Sequence, residues 1–158
     1  GAGNDTITGG AGLFSIATYN DSPAAVLVNL STGIAYDGFG GKDTLSVIDR
    51  VMGSDYNDSL IGGSANETFW GGKGNDDIDG GAGNDTIFGG VDASASSETP
   101  SAEGWGSDKL IGGAGRDVIY AGSSASGAGT RCASRPRASM ARASSSPSGS
   151  RNASASRS

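Results

Sequence analysis

Aspartates carry the chemistry open to this chain, and they recur at a fixed step. Residues 71–79 read GGKGNDDID and residues 80–88 read GGAGNDTIF. Both fit the template G-G-x-G-x-D-x-U-x, in which U is a large apolar residue. Asp76 and Asp85 hold the acidic position of these two copies. The same phase gives Asp58 in GSDYNDSLI (53–61) and Glu67 in GGSANETFW (62–70). EGWGSDKLI (103–111) and GGAGRDVIY (112–120) add Asp108 and Asp117, and the opening GAGNDTIT (1–8) adds Asp5. Carboxylates brought together by stacked turns repel one another unless a counter-ion lies between them. With turn carbonyls around them they form an all-oxygen site. Calcium, which takes about six to eight oxygens in flexible geometry, suits such a site. Magnesium prefers octahedral coordination and retained water, and zinc prefers His or Cys.

Other chemistries lack their residues. The 158-residue chain has no histidine, which removes Ser-His-Asp and Cys-His catalysis and histidine metal ligation. Its single cysteine, Cys132, cannot form an intramolecular disulfide. Paired carboxylates can do acid–base work on sugars. These aspartates recur with every repeat, however, and no pair stands apart, so no catalytic residue is expected. Residues 1–117 hold all 17 acidic residues against five basic ones, a net charge of −12, and the six remaining arginines lie beyond. So acidic a body disfavours nucleic acid and favours cations as partners. No stretch is long and apolar enough to span a membrane. The sequence begins inside a motif at Gly1 without an initiator Met, and is expected to be a piece of a longer protein.

Positioning those carboxylates is the task of the glycines and of residue U. Glycine makes up 29 of the 158 residues, far above the usual share, and apolar residues only 35%. A broad core cannot be filled from this composition; a thin one can. Glycines permit tight turns and close backbone approach, and the residues after Asp form a short strand with U facing in. Ile7, Ile16, Leu60, Phe69, Ile78, Ile87, Leu110 and Ile119 are the expected interior ladder. Two nonapeptides make one coil, so repeats two steps apart stack about 4.8 Å apart on one side. A flexible glycine linker would not keep an apolar residue, with Asp two places before it, in one phase.

The fold class expected is all-β, a parallel β-roll. Residues 1–17 read as partial repeats, with Phe14 where Asp belongs. Residues 18–52 read as a strand–turn segment packed on the roll: a strand at 25–30, a turn at Ser31–Gly33 and a return strand at 34–36. A shortened repeat around Asp43 and Leu45 follows, with Ile48 and Val51 continuing the apolar face. Residues 53–122 form the main roll, interrupted by an excursion loop at about 91–103, with Ser94 at an Asp position. Tyr19, Tyr36, Trp70 and Trp105 are expected in edge or loop packing. Residues 123–158 are Ser, Ala and Arg with scattered Pro and Gly. A disordered basic tail and a reading-frame shift near Gly129 both account for them; the shifted frame can encode Asp-x-Leu-x-Phe, and the nucleotide sequence separates the two.

The sequence resembles the repeats-in-toxin (RTX), or haemolysin-type calcium-binding, family. GAGND (1–5), VLVNLSTGIAYDGFGGKDTLSVIDRVMGSDYNDSLIGG (26–63) and GGKGNDDIDGGAGNDTIFGG (71–90) carry the likeness. The resemblance implies a right-handed roll, export through type I secretion machinery and folding triggered by calcium outside the cell. It implies that Asp58 pairs across a coil with Asp76, and Glu67 with Asp85. Asp85 pairs with Asp108 if the loop bulges out of the stack. Carbonyls around Gly71, Lys73, Gly80 and Ala82 complete the ligands. Asp5 and Asp117 match the motif without evident partners. The alternatives are the C-terminal repeat part of a secreted protease, lipase or epimerase, or an adhesive surface repeat.

Overall fold

An apolar residue two places after each motif carboxylate turns inward at the centre of a three-residue strand, and most of the architecture follows from that. The computed structural model describes residues 1–10, 14–90 and 106–120, together with the backbone of 131–133. In chain order the strands are β1 (Thr6–Thr8), β2 (Ile16–Thr18), β3 (Leu27–Asn29), β4 (Ile34–Tyr36), β5 (Lys42–Ser46), β6 (Arg50–Met52), β7 (Ser59–Ile61), β8 (Thr68–Trp70), β9 (Asp77–Asp79), β10 (Thr86–Phe88), β11 (Lys109–Ile111), β12 (Val118–Tyr120) and β13 (Arg131–Ala133). There is no helix among the described residues.

Successive repeats alternate between two sheets, ordered β1-β5-β4-β3-β7-β9-β11-β13 and β12-β10-β8-β6-β2. Repeats two steps apart stack in parallel, with Leu60 opposite Ile78 and Ile78 opposite Leu110 in one sheet. Phe69, Ile87 and Ile119 are aligned likewise in the other. Leu60, Phe69, Ile78, Ile87 and Leu110 are completely buried, as are Val28, Ala35 and Val51. The protein is therefore an all-β roll with a core one side chain thick per strand. On the outer face Trp70, Phe88 and Tyr120 stack at centroid distances of 5.6 and 4.7 Å.

Four expectations need correction. Segment 18–52 is not laid on the roll but built into its sheet. β3 pairs parallel with β7 and antiparallel with β4, β4 pairs antiparallel with β5, and β5 pairs parallel with β1. Val28, Ala35 and Leu45 thus take inward positions equivalent to U. Second, Ala17 and not Ile16 faces inward: Ala17 is opposite Val51, and Ile16 is 45% exposed. The carboxylate position of that repeat is then Ser15, which frees Phe14 to lie outside beneath the Arg50 guanidinium at 3.9 Å. Third, Tyr19 is buried in the core cluster, whereas Tyr36 is exposed. Fourth, the tail is not wholly without structure, because β13 extends the sheet in parallel from β11. β11 there offers an edge with backbone groups to pair. Trp105, Ser94 and residues 121–130 and 134–158 lie outside the described residues.

Candidate metal centre

Parallel stacking with unbroken register sets the motif carboxylates one above another in two columns. The Asp58 N–H donates to Asp76 Oδ1 at 2.9 Å, and the Asp76 N–H to Asp108 Oδ1 at 3.1 Å. In the other column the Glu67 N–H donates to Asp85 Oδ1 at 2.9 Å, and the Asp85 N–H to Asp117 Oδ1 at 3.1 Å. One oxygen of each aspartate therefore ties its coil to the preceding one. The other has no such use. Oδ2 of Asp76, Asp85, Asp108 and Asp117, and Oε2 of Glu67, are buried without a hydrogen-bond partner. A buried carboxylate oxygen left bare is costly, and a row of them marks a place for a ligand.

The first glycine of each repeat shows where these oxygens point. A methyl on Gly71 would lie 2.3 Å from Asp76 Oδ2 and 2.5 Å from the Gly89 carbonyl. A methyl on Gly80 would lie 2.7 Å both from Asp85 Oδ2 and from the Gly112 carbonyl. Carboxylate oxygen and next-coil carbonyl converge over one bare Cα, at separations that one calcium ion, with bonds of about 2.3–2.6 Å, can bridge. Electrostatics agrees. Burial pushes Asp76 up to about 8, aided by the negative charges of Asp58 and Asp108. Burial, then the charge of Asp85, pushes Glu67 up to about 7. Asp58, Asp85 and Asp108 are raised as well, again chiefly by burial. Each of these groups resists ionising unless positive charge arrives. Among the described residues no three His, Cys, Asp or Glu side chains converge on one point, so carbonyls must complete any coordination shell.

The candidate residues do not fare alike. Asp58 meets Asp76 as expected, yet both of its own oxygens are satisfied: Val26 N–H and the Ser54 hydroxyl donate to Oδ1, and Ser54 N–H to Oδ2. Asp85 stacks with Asp117 and not with Asp108, which lies over Asp76. The cause is where the insertion falls. A methyl on Gly89 would lie 2.6 Å from Asp108 Oδ2, the relation that the first glycine of a repeat has to its own Asp. Gly89 and Gly90 therefore open the repeat that Gly106–Ile111 close, and the insertion splits one turn instead of separating two repeats. Asp5 has Asp43 as its partner, the Asp5 N–H donating to Asp43 Oδ1 at 2.9 Å, but its own carboxyl is exposed at the sheet edge. The Gly71 carbonyl faces Gly53 alongside Asp58 Oδ2, and the Gly80 carbonyl lies against Gly62. Lys73 and Ala82 sit in the same turns; the Lys73 ammonium pairs with Asp55 at 2.5 Å, and Ala82 bridges to Ala114.

Sequence reasoning missed two sets of residues. The Gly89 and Gly112 carbonyls face the most strongly placed carboxylates, and one coil of stacking would have found them. The asparagines that precede the motif carboxylates form a second ladder running the other way. Asn57 Oδ1 accepts from the Asn75 N–H, Asn75 Oδ1 from the Ser107 N–H, Asn66 Oδ1 from the Asn84 N–H and Asn84 Oδ1 from the Arg116 N–H. Their recurrence at 57, 66, 75 and 84 was the available signal.

The family model of the RTX calcium-binding nonapeptide repeat matches four segments of the chain, residues 1–12, 44–78, 61–93 and 104–125, together more than half of it. The chain belongs to this family. RTX repeats bind calcium, and the all-oxygen columns fit that ion. A comparison with curated proteins finds no match. The stretch between 93 and 104 that the RTX match leaves out falls within the split turn. Among the described residues no helix is long and apolar enough to cross a membrane.

Proposed function

We propose that this RTX module is a calcium-triggered folding unit of a secreted bacterial protein, exported unfolded by type I machinery and closed by calcium outside the cell. In this reading Asp76, Asp85, Asp108 and Asp117 are carboxylate ligands, with Glu67 as a longer-armed equivalent. Carbonyls of the glycine turns, Gly71, Gly80, Gly89 and Gly112 among them, complete the shells. Asp58, already hydrogen-bonded to Ser54, serves the stack more than the ion. The row of buried, unpartnered carboxylate oxygens, with those of Asp76 and Asp85 each met by a carbonyl from the next coil, supports this reading above all else. Without cations, the crowded negative charge opposes closure of the roll; with them, the same charge drives it.

Circular dichroism during a calcium titration tests it. A largely disordered chain is expected in chelator, and β-structure at calcium concentrations of about 0.1–1 mM, the range of extracellular modules. β-Structure that chelator leaves unchanged would overturn the folding role and favour a calcium-independent structural repeat.

A further inference from the structure

We propose that Asp37 anchors a divalent-cation site of a second kind, outside the nonapeptide series, at the end of the roll where β1, β4 and β5 meet. Asp37 lies between β4 and β5 and is 1% exposed. Its Oδ1 accepts the N–H groups of Phe39 at 2.9 Å and Gly41 at 2.8 Å, so residues 37–41 curl around the carboxyl. Gly38 and Gly40, at φ of 76° and 94°, permit the curl. Asp37 Oδ2 is buried and has no partner.

What that oxygen faces repeats the geometry of the RTX turns. A methyl on Gly41 would lie 2.6 Å from Asp37 Oδ2 and 1.8 Å from the Gly3 carbonyl. A carboxylate oxygen and a carbonyl from a different coil again converge over one glycine Cα. The order along the chain is reversed, however: Asp37 precedes its glycine by four residues, whereas Asp76 follows Gly71 by five. A repeat pattern therefore passes over it, and the RTX match omits residues 13–43.

Two further buried oxygen groups, on Asp43 and Tyr19, belong to the same end of the chain. Asp43 is 2% exposed and uses Oδ1 on the Asp5 N–H. The Tyr19 hydroxyl is buried without a partner. Burial pushes its pKa up, and the negative charges of Asp43 and Asp37 push it further. Among the described residues no cationic group forms an ion pair with Asp37 or Asp43. The bare Asp37 Oδ2 and the Gly3 carbonyl that meets it over Gly41 are both oxygen donors, which suit calcium better than zinc.

Equilibrium dialysis against calcium, with circular dichroism on the same samples, counts the ions held by the full chain. Asp37→Asn should bind one ion fewer than the native chain at equal β-content, and Asp76→Asn should lose ions independently of it. An unchanged count in Asp37→Asn overturns the proposal. Loss in Asp37→Asn with none in Asp76→Asn overturns the repeat sites and leaves this one standing. Should Asp37→Asn fail to fold, Tyr19→Phe decides, since it keeps every carboxylate. With terbium in place of calcium, Tyr19→Phe should lose part of the emission sensitised through tyrosine. Equal emission from native and Tyr19→Phe chains, at equal terbium bound, overturns the site.

Discussion

Asp58 and Asp76 hold the same motif position and have different needs. Ser54 and Val26 donate three hydrogen bonds to Asp58, whereas Asp76 keeps one oxygen bare. Asp76→Asn should therefore lower the number of calcium ions bound and raise the calcium midpoint about tenfold, the equivalent of ~1.4 kcal/mol. Asp58→Asn should keep the ion count and lose about 1–3 kcal/mol of stability, because it strips acceptors from buried donors. Dialysis with parallel urea melts in saturating calcium separates the two; equal ion loss in both variants would remove the distinction. Gly71→Ala sharpens the point. Its methyl would fall 2.3 Å from Asp76 Oδ2 and 2.5 Å from the Gly89 carbonyl, and would force apart the two oxygens that an ion must bridge. Calcium binding at that turn should be abolished, with dialysis giving the same ion deficit as Asp76→Asn even where β-structure is recovered at high calcium.

At the scale of elements, the split turn gives the clearest test. Removing residues 92–105 joins Gly89-Gly90-Val91 to Gly106-Ser107-Asp108-Lys109-Leu110-Ile111, which is the nonapeptide restored in full. The deletion variant should fold at an equal or lower calcium midpoint, since a shorter loop costs less to close. A chain that no longer folds in calcium would show that the insertion supports the roll. The same splice explains what the sequence discloses and what it hides. A period of nine fixes the ladder from Leu60 to Leu110, because a large apolar residue marks each inward position. It fails at β2, where small Ala17 faces in and the larger Ile16 faces out, a reversal that only the pairing with Val51 decides. It fails again at Asp85, whose partner depends on which glycines begin the turn. The antiparallel β4 is legible as a strand from Ile34–Tyr36, but its place between β3 and β5 depends on tertiary pairing that no local pattern encodes.

Over the whole molecule, protons and calcium are rival counter-ions, and they should give the roll opposite responses to pH. Without calcium, Asp76 is raised to about 8 and Glu67 to about 7, with Asp58, Asp85 and Asp108 also raised. In the unfolded chain these groups titrate near 4. Between those limits the folded ion-free state binds more protons than the unfolded one, so its stability falls as pH rises. That contribution is complete below about pH 4 and is lost through the raised values up to about 8. Acid also lessens the self-repulsion of the −12 charge on residues 1–117. With calcium bound the carboxylates stay ionised in the folded state, as though their pKa values were depressed. Stability is then held above about pH 4 and lost as pH falls below it. In chelator, β-structure measured by circular dichroism should therefore grow as pH falls from 8 towards 4. In saturating calcium, the urea midpoint should hold from pH 8 to about 5 and decline as pH falls below about 4. Two melting series with the same pH trend would show that the buried carboxylates do not take up both cations, and the ion-coupled roll would fail with them.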